Sequence, residues 1–299
     1  MNVRKTDSAN VVGANEDNTK KRVVVTGGRG FIGQAAARAL IDRGYQPVIY
    51  DLPDGDVRDG KAIRAAVEGC HAVIHLAGVL GTHELFDAID LAIDINVKGA
   101  TRVLEAARDC GARYVGLTLP AVFPSVYAAT KGAAVAMERA FHHTYGLPVS
   151  RVLAFNAYGP AQKHGPGNPQ KILPTFAVEA WANRPIPIWG DGSQTVDLVH
   201  VDDLGELLVD AIGHGDNFTI DGGTGKAVSV LELAEFIIKV TGSKAGVNHM
   251  PMRRGEVPTE IVATGQGWDR IGWRPQLDWD RVAASVESYR HWNSPAPVN

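Results

Sequence analysis

Residues 23–33 read V-V-V-T-G-G-R-G-F-I-G, an apolar strand that runs directly into a glycine-punctuated turn. The helical stretch 34–43 follows at once. Glycines at 27, 30 and 33 let backbone amides approach a pyrophosphate closely, and the helix aims its positive end at that charge. A lone glycine triplet is a weak signal, since ordinary loops contain them. Here a second strand, 47–50, ends on Asp51. A carboxylate about 20 residues after such a turn accepts a ribose hydroxyl. Gly27, Gly30, Phe31, Ile32 and Gly33 are read as the cradle of a dinucleotide, with Asp51 at its ribose.

The rest of the chain is consistent with a large enzyme core. It has 299 residues, 45% of them hydrophobic, enough for one large or two modest domains. A net charge of −3 offers no basic surface for nucleic acid or an anionic membrane. No apolar run approaches the ~20 residues of a membrane span. Residues 1–20 are polar, lack the apolar stretch of a signal peptide, and read as a disordered tail. Cys70 and Cys110 have no metal-ligand spacing. They are expected to be buried free thiols of a cytoplasmic protein that holds no metal.

Strands are expected at 22–26, 47–50, 72–76, 114–118 and 149–154, with helices at 31–43, 59–68, 85–109 and 126–145. Short apolar strands alternating with helices imply an α/β fold, a Rossmann-type doubly wound parallel sheet with ligands at the carboxyl ends of its strands. This dinucleotide-binding unit is placed at 21–160. The Gly-, Pro-, Gln- and His-rich stretch 161–169 is a loop signal. After it come helices at 174–183, from about 202, at 229–241 and at 279–292. Residues 161–299 are read as a smaller α+β substrate lobe, with segments returning to the first core.

Further blocks are T-G-G-R-G-F-I-G (26–33), D-V-R-D (56–59), H-L-A-G (75–78), N-V-K-G (96–99) and Y-A-A-T-K (127–131). F-N-A-Y-G-P (155–160), G-D-G-S-Q-T-V-D-L-V-H-V-D-D (190–203), R-R-G-E (253–256) and I-G-W-R-P (271–275) complete the series. In order and spacing the chain resembles the extended short-chain dehydrogenases/reductases, the NAD-dependent epimerase/dehydratase group, across nearly all of residues 22 to 292. The resemblance implies that Asp56 and Val57 meet the adenine. Leu76, Ala77 and Gly78 would line the pyrophosphate–ribose path, and Asn96 would support the site. It also implies that Tyr127 gives or takes the proton on the substrate oxygen. Lys131 would lower the tyrosine pKa and hold the nicotinamide ribose. Spaced by four, the two lie on one helix face, and Ser125 is placed to cap that helix. An isolated Y-x-x-x-K would read equally well as a surface pair. The interval from Lys131 to Asn156, which keeps the family spacing, turns it toward an active site.

Departures from the family pattern point the other way. Leu119 falls where relatives place a Ser or Thr that bonds the substrate oxygen. Thr118, one residue earlier, should face the opposite side of the strand, though Pro120 bends the local path and keeps it a candidate. The loop from Phe123 to Tyr127 is shorter than in relatives. Val196 and Leu153 stand where relatives carry arginines, while Arg253 is retained. Arg253 and Arg254 read equally well as a solvated pair. The expected substrate pocket is therefore open and mainly apolar, lined by Leu119, Pro120, Val122, Phe123, Trp189 and Val196, with Arg253 at its edge. That pocket resembles those of secondary-metabolite ketoreductases of the angucyclinone type. It implies transfer of hydride from NAD(P)H to a carbonyl of a bulky small molecule such as a polyketide.

Two other readings stay open: a nucleotide-sugar epimerase or dehydratase with tightly bound NAD, and a non-catalytic NAD(P) sensor. Cofactor choice is open too, because Asp51 favours NAD while Arg29 offers a partner to the 2′-phosphate of NADP. Relatives pair through the helices corresponding to 85–109 and 126–145. Ala128, Ala129, Ala133, Ala134 and Ala136 would permit close helix approach, so a homodimer is expected.

Overall fold

The computed structural model describes residues 21–120, 123–165 and 167–292; the expected tail at 1–20 and Val122 lie outside the described residues. The chain opens with β1 (Arg22–Thr26), α1 (Phe31–Asp42), β2 (Gln46–Tyr50), α2 (Gly60–Val67) and β3 (Ala72–His75). It continues through α3 (Ile89–Ala92), a π-helical turn (Ile93–Gly99), α4 (Ala100–Cys110), β4 (Arg113–Thr118), α5 (Val126–Tyr145) and β5 (Val149–Ala154). Then follow β6 (Asn156–Tyr158), α6 (Ile172–Trp181), β7 (Ile186–Trp189), β8 (Thr195–Val196), β9 (Leu198–His200), α7 (Val201–Ile212) and β10 (Asp216–Gly222). The last elements are β11 (Val228–Ser229), α8 (Val230–Thr241), β12 (Val247–Met250), α9 (Trp268–Ile271) and α10 (Trp279–Glu287).

Six parallel strands form the main sheet in the order β10-β5-β4-β3-β1-β2. From β1 the chain first steps outward to β2 and then returns to β3 on the other side. The order therefore reverses between β1 and β3, which opens a crevice at the carboxyl ends of those strands. Side-chain alternation along β1 supplies both faces of the sheet. Val23 and Val25 pack with Leu40, Leu204 and Leu208 on the α1/α7 face. Val24 packs with Ile63, Val103 and Leu104 on the α2/α4/α5 face. A third core, including Leu173, Phe176, Ile188, Leu233, Ile237 and Val286, holds α6, α8 and α10 together.

Local chemistry sets the helix that matters most. Ser125 is extended, and its Oγ accepts from the Ala128 amide at 3.1 Å, starting α5. Gly146, at φ +67°, ends it. The helix expected at 85–109 instead starts at Ile89 and is interrupted by the π turn that carries Asn96. One sheet strand, β10, is absent from the sequence reading; it comes from the second half of the chain and pairs with β5. Cys70 is buried as expected, but Cys110 is half-exposed; both are free. Among the described residues no helix is long and apolar enough to cross a membrane.

Candidate active site

The turn after β1 is built on close approach. At Gly27, φ is +68°, and an added Cβ would stand 2.8 Å from the Ala77 amide nitrogen. At Gly33 a Cβ would stand 2.3 Å from the Gly27 carbonyl oxygen, so α1 can seat against the turn only without one. Helix α1 begins after Gly30 with no side-chain cap and no acid in its first turn. Its leading amides are thus left for an anionic ligand. Beneath the turn, Thr26 Oγ1 accepts from the Leu76 and Ala77 amides at 3.1 and 3.2 Å and sits 2.7 Å from His75 Nδ1. Burial first, and the Lys131 charge second, push the His75 pKa down to about 3. The imidazole is therefore neutral and shares a hydrogen bond with the Thr26 hydroxyl. This knot fixes the ends of β1 and β3 side by side at the crevice.

At the outer end, Asp51 Oδ2 accepts from the Arg29 amide at 2.9 Å. The Arg29 guanidinium donates to the carbonyls of Asp51 and Leu52 and is paired with Asp54. Arg58 grips Asp56 through both nitrogens, and Arg38 pairs with Asp202 at 2.7 Å. Each arginine lining this end of the cleft is already matched to a carboxylate. Arg29, the expected partner of a 2′-phosphate, is among them, paired with Asp54.

Tyr127 and Lys131 line the cleft from the first turns of α5. Asn96, buried, braces them from behind. Its side chain bonds the Val79 amide and carbonyl at 2.9 Å each and donates to Thr130 Oγ1 at 3.1 Å. Burial pushes the Tyr127 phenol up and the Lys131 ammonium down. Burial is the cause of the upward push on the phenol, and Lys131 is not among its causes. Thr118 is also placed differently from expectation. A Cβ at Gly116 would meet Glu138 of α5, and Tyr114 packs with Met137 and Phe141 of the same helix. Even-numbered positions of β4 therefore face α5, and alternation turns Thr118 toward the Tyr127–Lys131 helix rather than away from it. Leu119 lines the cleft as well.

The cleft, of about 1030 Å³, runs from the glycine turn past Asp51, Asp56 and Val57, along Leu76, Ala77 and Gly78, to Tyr127 and Lys131. Gln162, Lys163, Asn168 and Lys171 line it as well. Such a volume exceeds what one drug-sized ligand needs and leaves room for a second molecule beside a dinucleotide. Uncapped amides for a pyrophosphate, a carboxylate for ribose hydroxyls and apolar walls fit that cofactor. Several expected substrate contacts are elsewhere. Val196 is buried in the third core, paired with Val228 across β8 and β11. Arg253 lies over the Trp189 ring at 4.6 Å and is held by Glu256 at 2.8 Å. Neither those three residues nor Pro120 and Phe123 line the cleft. Conversely, the sequence reading missed Lys163, which is exposed, and Lys171, which is half-buried; both line the cleft and give it positive charge. Burial pushes the Lys171 ammonium down, opposed by Glu84. The only sequence signal for them was two lysines in the loop after F-N-A-Y-G-P.

Comparison with known proteins agrees with this geometry. Residues 23–221 match the NAD dependent epimerase/dehydratase family. The chain is 29% identical over 314 residues to a UDP-glucose 4-epimerase of Mycolicibacterium smegmatis, covering 90% of this chain and 99% of that protein. It is 27% identical over 318 residues to a dTDP-glucose 4,6-dehydratase of Streptomyces niveus, covering 90% and 93%. Among solved structures, a Thermotoga maritima UDP-glucose 4-epimerase shares the fold with a TM-score of 0.83 at 23% identity, covering 90% of this chain and 98% of that one. A Streptomyces venezuelae dTDP-glucose 4,6-dehydratase with NAD bound superposes with a TM-score of 0.81 at 25% identity, covering 91% and 98%. The glycine cradle, the Tyr127–Lys131 helix face and these matches together place the chain in the NAD dependent epimerase/dehydratase family, as an NAD(P)-dependent enzyme of the short-chain dehydrogenase/reductase superfamily.

Proposed function

We propose that this enzyme acts on a nucleotide sugar, as an epimerase or dehydratase that keeps NAD bound through its cycle. The observation that carries this reading is positive charge in the cleft wall: half-buried Lys171 and exposed Lys163 both line it and are available to the anionic part of such a substrate. A mainly apolar ketone has no use for a buried ammonium, whose desolvation is costly unless a ligand charge offsets it. The sequence-level case for that ketone also weakens, because Val196 lies in the third core rather than at the cleft. Bound NAD supplies a hydride acceptor on the sugar carbon and a hydride donor for its return. Tyr127, as the phenolate, takes the proton of the sugar hydroxyl in the oxidative half and returns it to the carbonyl oxygen in the reductive half, while burial pushes the phenol up and favours its protonated form at neutral pH. Thr118 provides the hydroxyl that Leu119 lacks, bonding the same oxygen. Paired Arg29 and the negative charge of Asp51 favour NAD over NADP at the ribose.

One experiment tests both parts. The purified chain is denatured, the released cofactor identified, and the native protein incubated with UDP- and dTDP-hexoses under NMR observation. The expected result is co-purifying NAD and conversion at the sugar C4. Cofactor-free protein that instead consumes NADPH with an aromatic ketone would overturn the reading in favour of a reductase.

The assembly we infer is a homodimer. Ala129, Gly132 and Ala136 form an exposed small-residue stripe on α5, while Ala134 packs inward and takes no part. Beside it Ile89, Leu91 and Ile93 are 49%, 43% and 39% exposed. Light scattering should give twice the chain mass, and Ile89→Glu with Ile93→Glu should return monomer; a monomeric parent chain would refute the assignment.

A further inference from the structure

Tyr127 is the second residue of α5, and the start of a helix is its least secured part, because the first amides have no intrahelical acceptor. Ser125 supplies one tie there, its Oγ accepting from the Ala128 amide at 3.1 Å. Another comes from inside the fold. Thr130, only 6% exposed, places its Oγ1 2.9 Å from the Val126 carbonyl oxygen and 3.0 Å from that of Tyr127. A threonine that bonds back to its own helix is common. This one also meets the π-helical turn, where Asn96 Nδ2 donates to the same Oγ1 at 3.1 Å.

The direction of each bond in this chain is fixed. Asn96 is 3% exposed, and its Oδ1 faces a donor, the Val79 amide, at 2.9 Å, which sets the orientation of its amide group. Both Nδ2 hydrogens are then used, one on the Val79 carbonyl at 2.9 Å and one on Thr130 Oγ1. Having accepted from Asn96, the Thr130 hydroxyl gives its own proton to the carbonyls of Val126 and Tyr127. Gly78 makes room for the arrangement, since a Cβ there would stand 3.0 Å from Asn96 Oδ1.

Gly78, Val79 and Leu80 line the cleft, as does Tyr127, whereas Asn96 and Thr130 do not. The pair therefore joins two parts of the cleft wall from behind without touching a ligand. We propose that Thr130 is a positioning residue for Tyr127: with Asn96 it ties the first turn of α5 to the wall at Val79, so that the phenol and that wall keep one fixed relation. This rests on the reading of Tyr127 as the group that moves the substrate proton. Such a transfer needs the hydroxyl within hydrogen-bond reach of the reacting oxygen. The hydroxyl lies at the far end of a long, rigid side chain, so a small rotation of the turn becomes a larger displacement at its oxygen. A misplacement of about 1 Å can cost about 10²-fold in rate.

The test labels the ligand-free chain with 3-fluorotyrosine and follows the ¹⁹F resonance of residue 127, identified by its absence in Tyr127→Phe. Thr130→Val keeps the side-chain shape and removes the hydroxyl, while Thr130→Ser keeps the hydroxyl. Thr130→Val should displace or split the 127 resonance by more than its parent linewidth. The resonances of Tyr158 and Tyr289, which lie in the third core, should stay in place. Thr130→Ser should return the 127 resonance to its parent position. On a nucleotide sugar that the parent turns over, Thr130→Val should lower kcat about 10- to 10²-fold at unchanged KM, with most of the loss recovered in Thr130→Ser. A 127 resonance unmoved in Thr130→Val would overturn the proposal however far the melting temperature falls, since the hydroxyl would then serve only the helix. A parent-like kcat in that variant, or equal displacement in Thr130→Ser, would overturn it as well. If Thr130→Val does not fold, Thr130→Ala is read by the same criteria and decides. The ¹⁹F readout needs no substrate, so a failed assignment of the nucleotide sugar leaves the answer about Thr130 intact.

Discussion

Tyr127→Phe is expected to cost about 10²- to 10⁴-fold in kcat while NAD stays bound and the melting temperature is unchanged, because the change deletes one general acid–base group and nothing else. The aromatic ring that fills the start of α5 is kept. The helix cap is made by Ser125 to the Ala128 amide, which the substitution does not touch. The proposed pyrophosphate site, at the start of α1 above the Thr26–His75 knot, is also left untouched. The pH profile should change with the rate. Burial raises the phenol above its ordinary value, so at neutral pH the hydroxyl is present and the reductive half is served. The oxidative half needs the phenolate, and its rate should climb as pH rises on the alkaline side. In Tyr127→Phe that alkaline limb should vanish along with the rate. Parent-like turnover in the variant would remove Tyr127 from the chemistry.

How much of this could be read from the residues depended on how local the determinants were. The glycine turn, the Asp51 strand end and the whole of α5 were legible, because each is fixed by chemistry within a few residues. A φ of +68° at Gly27, a serine cap at 125 and a left-handed Gly146 leave the chain few alternatives. Thr118 shows the limit. Alternation correctly separated it from Leu119, but only the packing of β4 against α5 says which of the two faces carries the catalytic helix. Val196, Trp189 and Arg253 were misplaced for the same reason. Val196 and Trp189 are placed by the β8–β11 and β12–β7 pairings, and Arg253 by its contacts with Trp189 and Glu256, none of which a neighbouring residue announces. Strand β10 escaped because its polar Asp-Asn start and Asp-Gly end look like loop, yet Asp221 within it accepts from three backbone amides of 264–266. Lys171 was missed because the path of the loop after Pro160 decides whether it meets solvent or the cleft.

Asp197→Ala should be the most damaging single change outside the site, with a loss of about 3–5 kcal/mol, the range for stranding buried partners of a charged group. Asp197 is fully buried. Its Oδ1 accepts from the Thr224 amide at 2.7 Å and the Thr224 hydroxyl at 2.6 Å. Its Oδ2 accepts from the Gly225 and Ala263 amides at 2.9 Å each. One carboxylate thus gathers the turn after β10 and the segment before α9 onto the residue that joins β8 to β9. Its own carbonyl accepts from the Asn156 amide at 2.9 Å, which ties the same point to the floor of the cleft. Alanine would leave three amides and a hydroxyl without acceptors, in a space already so tight that a Cβ at Gly223 would stand 2.7 Å from Oδ2. Water cannot readily replace the carboxylate there. Against a total stability of about 5–15 kcal/mol, the expected loss puts the variant near unfolding at ordinary temperature. Asp197→Asn keeps one acceptor oxygen but turns an NH₂ toward backbone donors, so it should lose a smaller yet still large share. Urea denaturation of parent and variants, read by both fluorescence and circular dichroism, measures the difference. A loss below about 1 kcal/mol for Asp197→Ala, the worth of one ordinary hydrogen bond, would mean that the gathered turns hold their places without the carboxylate.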